Sequence, residues 1–155
     1  MLETGWWVLF TLAGIWAQYF VPGVDFFAPG LVIALQRRQW TVVAWLIAFW
    51  VLLLDGSGNL AFGYGLGWYG GLLLFFSVGQ WLFEVRSLSF LCLLGLGLGG
   101  LHVILIYALT SLQDLAFPLE RVVLEGVLQA VVFPVEWAVV NRFYPERLHG
   151  DERSL

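Results

Sequence analysis

Every cation in this chain is an arginine, and six of the seven fall in alternate gaps between long apolar runs. Arg37 and Arg38 follow the second run, Arg86 the fourth, and Arg142, Arg147 and Arg153 the last, while the intervening gaps carry acids and glycines. Gaps rich in Arg are retained on the cytoplasmic side of a membrane. The pattern therefore predicts an all-α integral membrane bundle of about six transmembrane helices, multi-pass, with both termini cytoplasmic.

Composition agrees with that class. Hydrophobic residues make up 61% of the 155, charged residues 12%, and the mean hydropathy is +0.87, against roughly 25% charged residues in an ordinary soluble domain. The net charge of −4 with no basic run leaves nothing for a nucleic-acid backbone to bind. A single cysteine, Cys92, excludes an intramolecular disulfide and a thiolate cluster. The N-terminus has no basic stretch and its first apolar run ends in Gln18-Tyr19-Phe20-Val21-Pro22-Gly23, which predicts a retained first helix and not a cleaved signal. Trp6, Trp7, Trp40, Trp81, Trp137 and Tyr144 lie near run ends, where amphipathic rings suit the lipid headgroup level.

The runs cover about Gly5–Val21, Val24–Leu35, Trp40–Leu54, from after the glycine-rich link Gly56–Gly65 to Phe83, Leu88–Leu112 and Val122–Val140. Residues 1–141 form the expected transmembrane domain and 142–155 a polar cytoplasmic tail. The second run is short and interrupted by Asp25 and Pro29-Gly30. Because a crossing takes roughly 20 residues, this segment is a half-helix, a re-entrant piece or a bent pass. A crossing is preferred, since it places all the gap arginines on one side. Pro134 is expected to bend the last helix.

Two sets of residues stand out within the runs. Gly63, Gly67 and Gly71 recur every four residues, as do Gly95 and Gly99, so each set lines one helical face where another backbone can approach. Such faces serve packing between the fourth and fifth helices, or docking of a partner helix. Ala13 and Ala17 form a weaker pair on the first. Arg121, Glu125, Gln129 and Glu136 make one polar stripe along the sixth run. Intramembrane charge faces protein or water, so the stripe either fixes helix orientation or meets a partner.

Other polar residues are sparse. His102 is a lone imidazole in the fifth run, and Asp55, Ser57 and Asn59 cluster after the third. Asp55, Asn59 and His102, with Gln129, are the candidates for a polar pocket; Asp55 serves equally as a helix cap. Metal sites want several clustered ligands, so no metal or cofactor is expected. The strings Gly65-Leu66-Gly67-Trp68-Tyr69-Gly70 and Gly95-Leu96-Gly97-Leu98-Gly99-Gly100 match the dinucleotide fingerprint as text, but neither lies in a βαβ unit. No acid–base or nucleophile grouping has motif spacing, which argues against an enzyme.

With the runs placed, the chain resembles the MreD family, a membrane subunit of the bacterial rod-shape machinery. The likeness lies in Phe27-Ala28-Pro29-Gly30-Leu31-Val32-Ile33-Ala34-Leu35 followed by Arg37-Arg38, and in Leu52-Leu53-Leu54-Asp55 leading through Ser57-Gly58 to Ala61-Phe62-Gly63. It continues in the last run with Leu128, Ala130, Phe133-Pro134-Val135 and Arg142. The chain departs from the family at Ala61-Phe62, where Pro-Leu is usual, in a Ser-Gly one residue closer to Asp55, and at Glu136, where an apolar residue is usual. The resemblance implies a noncatalytic scaffold of the bacterial inner membrane, binding an MreC-like single-pass protein and peptidoglycan synthases of the RodA and PBP2 type. Proteins of that family are similar in fold to substrate-binding S subunits of energy-coupling-factor vitamin transporters. This gives a second expectation, an S subunit with an outward pocket and a small-residue face at Ala13 and Ala17.

Overall fold

The computed structural model describes residues 2–21, 23–56 and 63–145, and of Leu2 and Glu3 the backbone alone. Asn59, Ser57 and the tail arginines Arg147 and Arg153 lie outside the described residues. Six helices follow one another: α1 Leu2–Phe20, α2 Ala28–Gln36, α3 Trp40–Gly56, α4 Tyr64–Leu82, α5 Leu88–Leu112 and α6 Leu119–Phe143. Among the described residues there is no strand. α6 continues unbroken through Pro134 and extends two residues past the expected boundary at 141.

Among the described residues two helices, α5 and α6, are long and apolar enough to cross a membrane, with mean hydropathies of 2.2 and 1.7 over their best windows. α1 and α4 have 19 residues each, but Trp, Tyr, Gly and Gln dilute their hydropathy. The outward faces are apolar: Leu9, Trp45, Leu66, Ile104 and Val131 are all exposed.

The short second helix is the centre of the protein. Every residue from Ala28 to Leu35 is buried, as expected of a helix that is apolar all round. Pro29 in its first turn presets the backbone where no intrahelical donor is needed. Its other end is closed by Arg38 in the left-handed region, φ 56°, with the Arg38 amide donating to the Leu35 carbonyl and the Gln39 amide to Ala34. This paired closure satisfies two orphan carbonyls and turns the chain directly into α3. Asp114, φ 52°, ends α5 in the same way, with the Leu115 amide donating to Thr110.

Hydrogen bonds tie chain segments of like position in the arginine alternation. At one end, Gln36 donates to the Val85 carbonyl and accepts from Trp137 Nε1 at 3.1 Å, Tyr144 donates to Gln39 Oε1, and Trp6 Nε1 donates to the orphan carbonyl of Phe143. The Arg37 guanidinium lies 4.1 Å from the centre of the Tyr144 ring. The expected ring of lipid anchors is therefore corrected. Trp7 and Tyr144 are buried and Trp6 and Trp137 half-buried in these joints, leaving Trp40 and Trp81 exposed.

The glycine faces also sort differently from the expectation. Gly67 and Gly71 meet Leu105 and Leu101, so α4 does pack on α5 there, with leucines filling the glycine faces. Gly95 and Gly99 instead face α6, against the carbonyls of Ala130 and Gly126. The proline at 134 leaves the Ala130 carbonyl without its usual helical donor. A Cβ on Gly95 would lie 2.7 Å from that oxygen. Gly63 belongs to neither face: it precedes α4 with φ 99°, a conformation that favours glycine.

Candidate functional site

The polar side chains of four helices and of the α1–α2 turn converge opposite the Gln36–Tyr144 end. Asp25 sits between α1 and α2 at the centre of this cluster. Its Oδ1 accepts from Gln18 Nε2 at 3.0 Å and from the Phe27 amide at 2.9 Å, its Oδ2 accepts from Trp68 Nε1, and its own amide donates to Gln129 Oε1 at 2.7 Å. One residue thus holds α1, the start of α2, α4 and α6. The bond to Phe27, two residues on, is a local turn that Asp favours. It also places a carboxylate beside the first turn of α2, where the helix dipole favours negative charge.

A second chain of bonds runs beside the first. Arg121 Nε donates to Glu125 Oε1 at 2.8 Å, Glu125 Oε2 lies 3.2 Å from His102 Nε2, and His102 Nδ1 lies 2.9 Å from the Tyr64 hydroxyl. A carboxylate accepts, so Nε2 carries the proton and Nδ1 accepts from Tyr64. The two chains meet through rings. Tyr64 stacks on Trp68 at 6.0 Å and 12°, and the His102 ring lies nearly perpendicular to both, with centroids 6.2 Å apart. Gly23, φ 92°, lets the α1–α2 turn pass against Glu125; a Cβ there would meet the Glu125 side chain. The turn therefore needs glycine for both backbone and space.

The polar stripe on α6 is thus split by its surroundings. Glu125 and Gln129 enter the cluster. Arg121 stays exposed and, among the described residues, pairs with Glu125 alone. Glu136 is buried two turns from the end of α6, and both of its oxygens lack a hydrogen-bond partner among the described residues. Of the expected polar pocket, His102 and Gln129 join the cluster. Asp55 is a cap: its carboxylate accepts from the amides of Gly63 at 3.1 Å and Gly65 at 2.8 Å, satisfying the orphan donors where α4 begins. No three His, Cys, Asp or Glu side chains come together as metal ligands among the described residues.

Sequence reasoning passed over Asp25, Gln18, Tyr64 and Trp68. Asp25 had a usable signal, since an acid within an apolar run and without a cation nearby demands buried donors. Tyr64 and Trp68 had none, because an indole or phenol in an apolar run reads equally as a lipid contact.

Glu125→Ala tests the second chain. It leaves His102 Nε2 and Arg121 without their acceptor, so a loss of about 1–3 kcal/mol is expected; the exposed Arg121 recovers water and adds little. Val127→Ala, on an exposed face of the same helix, should fall within about 0.5 kcal/mol of the parent. Thermal melts in detergent compare the two, and equal shifts would remove Glu125 from the framework.

The chain matches no protein-family model, no curated protein and no solved structure. The arrangement defines an all-helical protein with two membrane-length helices, a buried central helix and a polar cluster tying the bundle together at one end.

Proposed function

We propose that this protein is a noncatalytic, MreD-like scaffold of the bacterial inner membrane, with six passes and both termini cytoplasmic. In this role it holds an MreC-like single-pass protein and RodA and PBP2 type synthases in the elongation machinery that maintains rod shape. The observation that carries the scaffold reading is where its polar side chains point. Asp25, Trp68, His102, Tyr64 and Glu125 satisfy one another across helices, which suits a rigid bundle better than a site that exchanges a ligand. The apolar outward faces suit lipid and helix partners. The partner identities rest on the resemblance to the family.

Six passes follow from the arginine alternation, and the end-to-end hydrogen bonds are consistent with it. Gln36, beside Arg37, bonds to the Val85 carbonyl, next to Arg86, and to Trp137 of α6, and Arg37 lies against Tyr144, two residues past Arg142; the Asp25 and Glu125 bonds lie at the other end. In a Cys92→Ala background, cysteine at the exposed Gln113 should label with an impermeant thiol reagent from the periplasmic side, and cysteine at Glu84 should not. The reverse pattern overturns the topology.

A second reading, an S subunit of a vitamin transporter, is favoured by one observation. Gln129 Nε2 is buried beside the Asp25 cluster without a hydrogen-bond partner among the described residues, as a ligand-binding donor would be. Purification in mild detergent with mass spectrometry separates the two. Cell-wall synthases should co-purify, and deletion in the host should turn rods into spheres. Retained rod shape with a co-purifying transporter ATPase would favour the S subunit.

A further inference from the structure

A groove of about 460 Å³ runs between α1 and α6, open to the outside of the bundle. Leu9, Ala13 and Ala17 line one wall, and Val135, Val139 and Phe143 the other. Glu136 also lines it, the only acid among the described residues that does. This side chain is nine-tenths buried, and neither carboxylate oxygen has a hydrogen-bond partner among the described residues. Neither ion pair found among those residues includes it. An acid left this way is unfavourable, because its hydration is lost and nothing replaces it.

We infer that the α1–α6 groove receives a partner transmembrane helix bearing one basic side chain, which enters the groove and pairs with Glu136. This rests on the membrane reading above. Three features specify the occupant. The acid calls for an opposite charge, since intramembrane ionisable groups pair with one another. Its depth selects a side chain over a lipid headgroup: Glu136 lies seven residues before the end of α6, about 10 Å at the helical rise, below where headgroup amines sit. Finally, Ala13 and Ala17 keep the α1 wall low, so a helix backbone can approach closely. At about 460 Å³ the groove is too small for a whole helix, which is about 10–12 Å across with its side chains. It takes side chains from one face of the partner while the rest stays in lipid.

The test uses the full-length protein in vesicles of phosphatidylcholine alone, with fluorescent Leu/Ala transmembrane peptides as probes. One peptide carries a single Arg two turns from its cytoplasmic end, and its control carries Leu there. The Arg peptide should bind the parent protein at least tenfold more tightly than the control by energy transfer. Glu136→Leu should erase that preference, and Val139→Trp, which fills the groove from an exposed position, should weaken both peptides at least fivefold. Glu136→Leu should also melt at or above the parent temperature, because an apolar replacement removes an unpaired buried acid. Equal binding of the two peptides, an unchanged preference in Glu136→Leu, or a lower melting temperature of that variant would each overturn the proposal. So would a phospholipid retained by the parent and released by Glu136→Leu in native mass spectrometry, which would assign the groove to lipid.

Cells distinguish this inference from the scaffold proposal. Cell-wall partners recovered equally with the parent and with Glu136→Leu leave the scaffold standing and overturn the groove. An Arg-peptide preference intact in a protein that recovers no cell-wall partner supports the groove and overturns the scaffold.

Discussion

Asp25→Ala is expected to lower the stability of the purified protein by roughly 3–5 kcal/mol, more than any other single polar truncation in the bundle. The side chain accepts from Trp68, Gln18 and the Phe27 amide, and alanine leaves all three donors unpaired. Each such loss is worth about 1–3 kcal/mol, with partial relief where water reaches the half-buried site. The damage also spreads, because the same residue orders the turn that starts α2 and removes negative charge from beside its first turn when truncated. Asp25→Asn keeps one acceptor oxygen and should lose about half as much. Thermal melts should rank parent, Asn and Ala in that order. An Asp25→Ala protein that melts with the parent would show that the carboxylate does not hold the helices together.

Gly99→Leu should be as damaging by a different route. A Cβ at Gly99 would press on the Gly126 carbonyl, and one at Gly126 would lie 2.7 Å from the Gly99 carbonyl, so the α5 and α6 backbones meet directly. Backbone cannot turn aside as a flexible side chain can. The substitution should exceed the about 1–3 kcal/mol of ordinary overpacking and abolish recovery of monodisperse protein. Gly100→Leu, one residue on, meets nothing within 4 Å and should be recovered at parental yield. Gly67→Leu and Gly71→Leu should fall between, because Leu105 and Leu101 can shift their ends. Size-exclusion profiles of the four proteins check the ranking, and similar profiles for Gly99→Leu and Gly100→Leu would contradict the close contact.

Local rules delimit most of this protein. Apolar runs bounded by polar residues place α5 at Leu88–Leu112 as observed, and α1, α3, α4 and α6 within about three residues at most ends, because hydrophobic length and polar flanks are properties of adjacent residues. Arg38 and Asp114 close helices without the usual glycine. A sequence rule that expects glycine after a helix does not find such closures. The capping role open to Asp55 was also legible, since Asp and Gly stand close together at the α3–α4 junction.

Tertiary structure decided how the polar residues are used. Position on a helix places Glu125, Gln129 and Glu136 on one stripe, yet their environments differ. Glu125 meets His102, Gln129 meets the Asp25 amide, and Glu136 faces a groove, its oxygens without a hydrogen-bond partner among the described residues. The glycines likewise share a spacing but face different partners, leucine side chains for α4 and the α6 backbone for α5. Periodicity fixes which residues share a face; only packing fixes what that face meets. The placement of α2 at the centre, with Asp25 joining helices far apart in sequence, depends on long-range contacts that no local pattern encodes.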